Sequence, residues 1–113
     1  MANHRFNPDI YRDYDELQQA VLEALLKLIK ATKGSMLTFN AKKLAVVAGL
    51  PTHPVVLTLI KDVVEQLQAK GFVQRISQSS HGVKYAITQD SPLWVIAKSG
   101  GQLLILESLV KVQ

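Results

Sequence analysis

The run LQAKGF at residues 67–72 limits what this chain can fold into more than any other stretch. It has the form of a helix exit. Lys70 suits the negative end of a helix, Gly71 can take the left-handed conformation, and Phe72 can fold back onto Leu67. Upstream, Val56, Leu59, Ile60, Val63 and Leu67 recur at helical spacing as a core face, with Pro54, Thr58, Lys61 and Glu65 opposite. Thr52 is the expected cap of this helix, and Pro54 fits its first turn. Downstream, residues 73–76 and 83–88 read as strands, and in the second Val83, Tyr85 and Ile87 alternate with Lys84, Ala86 and Thr88. Residues 77–82 form the expected polar turn, so a helix feeds directly into a hairpin.

Two shorter arguments place what comes before. Asp13, with Glu16 three residues on, has the form of a capping box, and Leu17, Val21, Ala24, Leu25 and Leu28 follow at helical spacing. A first helix is expected to about Thr32. Leu22, Leu26 and Ile29 widen its apolar arc, which predicts packing between two neighbours. Leu37, Thr38 and Phe39 read as a short strand, Asn40 as the cap of a brief helix holding Leu44, Ala45 and Ala48, and Gly49 as its end. Residues 1–12 read as a flexible arm with scattered Phe6, Ile10 and Tyr11.

Beyond residue 90 the chain extends the domain. Ser91 and Pro92 start a helical stretch over residues 93–98, which Gly100 and Gly101 break. The apolar tail over residues 103–112 fits a helix through Leu103, Leu106 and Val110, and also fits a strand. The organisation is therefore an arm at 1–12, a domain at 13–90 and a C-terminal extension at 91–113.

With 113 residues, 48% hydrophobic and 19% charged, the chain matches one ordinary globular domain. The absence of cysteine excludes a disulfide framework and thiolate metal sites. The densest apolar stretches, residues 93–97 and 103–106, fall short of the roughly 18 residues that a membrane span needs, and the polar start lacks a signal-peptide core. A cytoplasmic protein is expected. The formal net charge is +4. Acidic and basic residues balance in residues 1–33, 51–70 and 89–113, so Lys42, Lys43, Arg75 and Lys84 carry the whole excess.

The order helix, short strand, helix, tight turn, helix, hairpin resembles the winged helix-turn-helix superfamily, in the broad style of small MarR-like or ArsR-like regulators. The likeness covers about residues 17–88 and rests on LAVVAGLP at 44–51 and LQAKGFVQRI at 67–76. It implies an α+β fold: a three-helix core with a two-stranded β-hairpin wing, followed by a C-terminal helical extension. It also implies binding to double-stranded DNA, as in a transcription regulator or chromatin-associated protein, with the third helix in the major groove and the wing along the backbone. Mapped onto this sequence, Lys42, Lys43, Arg75, His81 and Lys84 fall at phosphate-contact positions. His53 lies at the mouth of the third helix, and Val55, Thr58 and Lys61 are the candidate base readers. The sequence departs from the pattern in having no arginine on that helix, and in carrying Asp62 and Glu65 on or near its exposed face.

Other chemistry finds little support. His4, His53 and His81 lack metal-ligand spacing, and Ser79, Ser80 and His81 lack a third orienting group, so neither a metal site nor an enzyme is expected. No cofactor is implied. Trp94 and the tail can either cover the first helix or form the seam of a homodimer, which would space two third helices by roughly one duplex turn. The alternative function is a protein-interaction module, with Asp62 and Glu65 facing a basic partner.

Overall fold

The computed structural model describes residues 14–80 and 82–100. These form four helices and a three-stranded antiparallel sheet in the order α1 (Tyr14–Ala31), β1 (Met36–Phe39), α2 (Ala41–Ala48), α3 (Pro54–Ala69), β2 (Gln74–Ser79), β3 (Gly82–Thr88) and α4 (Pro92–Lys98). This α+β arrangement is compatible with the winged-helix-like order.

The wide apolar arc of α1 is used within the chain. Leu17, Val21, Leu25 and Ile29 are fully buried, Leu22, Ala24 and Leu26 nearly so, and α1 packs against α2, α3 and α4. It has three neighbours where two were expected. The fourth helix supplies the third of them through Leu93, Trp94 and Ala97, all buried. Trp94 thus belongs to this chain's own core, as in the first of its two expected readings. The Lys98 ammonium lies 5.5 Å from the Trp94 ring centroid and donates to the Thr32 carbonyl at 2.6 Å, closing the end of α4 onto the end of α1. Asp13, the arm and the tail from residue 101 lie outside the described residues.

Local signals set most of the element ends. Asn40 caps α2, its Oδ1 accepting from the Lys43 amide at 2.8 Å, and Gly49 ends that helix at φ +74°. At the exit of α3 the Phe72 amide donates to the Leu67 carbonyl and the Gly71 amide to the Gln68 carbonyl, each at 3.0 Å, with Gly71 at φ +82°. This is a Schellman turn. The entry of α3 differs from expectation: His53, not Thr52, is the cap residue, and it makes no side-chain cap bond. Pro54 explains the shift, because it pre-sets a helical φ at the first position and holds the residue before it in extended conformation.

In the sheet β3 is central, flanked by β1 and β2, so the expected two-stranded hairpin gains a third strand. Leu37 pairs with Ile87 and Phe39 with Tyr85, all four buried, and the Phe39 and Tyr85 rings stack 5.7 Å apart. Burying these side chains together is what draws β1 into the sheet. The expected polar turn at 77–82 is corrected as well. Ser77, Gln78 and Ser79 pair with Lys84, Val83 and Gly82, leaving only residues 80 and 81 between the strands. Every residue of β2 is exposed, so backbone pairing rather than apolar alternation holds the strand, and serine-rich sequence suffices. A register shift between Arg75 and Ser77 makes Ile76 a bulged residue. Among the described residues no helix is long and apolar enough to cross a membrane.

Candidate nucleic-acid interface

The N-terminus of α2, the first half of α3 and the tip of the β2–β3 hairpin converge on one side of the molecule. Two grooves flank the hairpin tip there, and both are lined by Asn40, Gly82 and Val83. The larger, about 410 Å³, adds Lys43, Ser77 and Lys84; the smaller, about 280 Å³, adds Lys42, Thr58 and Lys61. Four lysines therefore surround the hairpin tip, two to a groove.

Local structure explains why these cations gather. The Asn40 cap puts the positive end of the α2 dipole beside the hairpin, and the first turn of α2 holds Lys42 and Lys43 with no acid to offset them. Lys84 faces outward because its neighbours Val83 and Tyr85 take the core side of β3. Lys61 lies on the exposed face of α3, one turn beyond Thr58. Among the described residues none of the four lysines is ion-paired with a carboxylate.

Arg75, expected to join this cluster, is engaged elsewhere. Its guanidinium is ion-paired with Oε1 of Glu65, while Oε2 of Glu65 accepts from the Tyr85 hydroxyl at 2.7 Å. The Arg75 hydrogen bond holds the Glu65 carboxyl below its ordinary range, with a smaller contribution from the Tyr85 bond and a weak one from Lys61. Burial and the same carboxylate raise the Tyr85 phenol.

Asp62 is engaged in the same way on the next part of the face. Its Oδ2 accepts from the Tyr14 hydroxyl at 3.0 Å and from Gln66 Nε2 at 3.3 Å, and Gln66 also donates to the Tyr14 oxygen at 2.7 Å. Burial, and after it the bond to Asp62, push the Tyr14 phenol up to about 12. The exposed face of α3 is thus divided. Val55, Thr58 and Lys61 occupy its N-terminal half, and Asp62 and Glu65, both hydrogen-bonded to tyrosines, lie toward its C-terminal end.

The remaining candidates fall into place more simply. His53 is exposed at the start of α3, Val55 is 60% exposed beside it, and Thr58 is exposed one turn later. The Thr58 hydroxyl donates to the Pro54 carbonyl at 2.9 Å, so its single proton is committed. His81 lies outside the described residues. Asn40, Ser77 and Gly82 were not expected at the site; the cap signal of Asn40 was legible, but its nearness to the hairpin tip required the sheet. Among the described residues no group of His, Asp and Glu side chains could hold a metal. No protein-family model, curated protein or solved structure matches this chain.

Proposed function

We propose that this chain is a winged-helix domain that binds double-stranded DNA, with α3 entering the major groove and the β2–β3 hairpin following the phosphate backbone, as a transcription regulator or chromatin-associated protein. The observation that carries the proposal is the set of four lysines, Lys42, Lys43, Lys61 and Lys84, in the two grooves beside the exposed first half of α3. Each can neutralise a phosphate and release its condensed counterion. The acids that argued against this face are held within the chain, Glu65 by Arg75 and Tyr85 and Asp62 by Tyr14 and Gln66.

One copy offers few contacts, and we place the working form as a homodimer that doubles them on adjacent half-sites. Trp94 is not available for its seam, so the association would use the extension beyond α4.

The test is a salt titration of duplex binding. If each lysine neutralises one phosphate, the log-log slope is about −3.6 per copy and about −7.2 for the homodimer, and each copy contributes a weakening of about 150-fold between 50 and 200 mM salt. A flat response, or no binding at low salt, rejects the proposal. Light scattering on the same samples reports the oligomeric state.

A further inference from the structure

The first two turns of α3 carry an unusual selection of surface groups for a helix that reads bases. Over residues 54–61 the sequence is PVVLTLIK, with no Arg, Asn, Gln, Asp or Glu. The amide pairings that recognise adenine and the acceptor that recognises cytosine are therefore missing, and Lys61, assigned above to a phosphate, is the one side chain here of a type that pairs with guanine. What faces outward is Val55, 60% exposed, and Thr58, whose hydroxyl proton is bonded to the Pro54 carbonyl at 2.9 Å. Thr58 consequently cannot donate to a base edge while that bond is kept. Lys61 follows one turn later and lines the same groove as Thr58 and Lys42.

Val55 stands on this face with no polar atom in its side chain. It shares the exposed face of α3 with Thr58 and Lys61, which suits a polyanion that also presents apolar groups, and the major groove offers one such group, the C5 methyl of thymine. Resting on the duplex-binding reading above, we propose that α3 recognises C5-methyl groups in the major groove through Val55 and the side chain of Thr58, so that this chain prefers duplexes rich in thymine. The lysines hold the duplex without regard to sequence, and the apolar pair selects among sequences. Cytosine methylated at C5 places a methyl at the equivalent edge and is bound by the same contact.

The experiment uses the full chain and matched duplexes at one salt concentration. An alternating A·T duplex is compared with the same duplex carrying uracil in place of thymine, which removes the methyl and keeps every hydrogen-bonding group. A G·C duplex is compared with its fully C5-methylated form. The expected result is about fourfold weaker binding per contacted methyl in the uracil duplex and a gain of similar size on cytosine methylation. Val55→Ser reduces both differences, leaving only the share contributed by Thr58. Equal affinity for the thymine and uracil duplexes, with a steep salt slope retained, overturns methyl recognition and leaves duplex binding standing. Absence of binding to every duplex overturns both.

Discussion

The hydroxyl of Tyr85 donates to Glu65 at 2.7 Å, joining the central strand of the sheet to the exposed face of α3. Arg75 holds the other oxygen of the same carboxylate. A helix, its neighbouring strand and the edge strand are thereby fixed to one group, which positions α3 relative to the hairpin.

This carboxylate should shape the acid limb of stability. Its pKa is lowered in the folded state, so its contribution is fully present above the unfolded value of about 4.3 and is lost as pH falls through the lower folded value. Arg75 and Glu65 are partly exposed, which limits the effect to roughly 1 kcal/mol. Glu65→Gln is expected to lower neutral-pH stability by that amount, with the gap to the unmutated chain beginning to narrow as pH falls below the unfolded value. Urea unfolding at several pH values checks this, and a gap that does not narrow at all as pH falls contradicts it. The same change releases Arg75, so the salt slope of duplex binding should steepen by about 0.9.

Tyr14 gives the alkaline counterpart. Its phenol is raised to about 12 by burial and by the bond to Asp62, so the neutral form belongs to the folded state. Stability from this group is complete below the ordinary value of about 10 and declines as pH rises toward the folded value. In a phenolate absorbance titration, Tyr14→Phe should remove a step well above pH 10. Loss of a step near 10 instead would show that Tyr14 is not held by Asp62.

Gly71 tests the exit of α3. An added Cβ would meet nothing within 4 Å, so any cost of Gly71→Ala comes from the backbone alone at φ +82°. About 1–2 kcal/mol is expected, and less for Gly71→Asn, which tolerates the left-handed region better. Equal stability of the Gly and Ala chains in denaturant would mean that the Schellman turn is not formed in solution.

The lysines can be reversed without touching the core. Lys43→Glu with Lys84→Glu is expected to keep the circular dichroism spectrum and unfolding midpoint close to those of the parent while abolishing duplex binding at moderate salt. Retained affinity in the double variant would move the binding face elsewhere.

Much of this architecture was readable from residue types because it depends on local chemistry. The Asn40 cap, the Gly49 and Gly71 turns and the alternation of Val83, Tyr85 and Ile87 all concern neighbours within a few positions. What escaped reading depended on distant partners. Arg75 looked like a free cation because Glu65 lies ten positions away and Tyr85 ten further on. Asp62 looked like a repulsive acid because Tyr14 is 48 residues from it. Ser77, Gln78 and Ser79 looked like a turn because an edge strand with both faces in water needs no apolar pattern, and β1 joined the sheet through Phe39 and Tyr85, 46 positions apart. Of the candidate site, the Lys42–Lys43 pair and Lys84 were found from charge placement, and Lys61 from helical spacing.

The bulge at Ile76 reaches beyond its own strand. It interrupts the even spacing of amides and carbonyls along the outer edge of the sheet, so an incoming strand would fall out of step after two residues on one side and three on the other. Copies of this protein are thereby steered away from edge-to-edge ribbons along this strand.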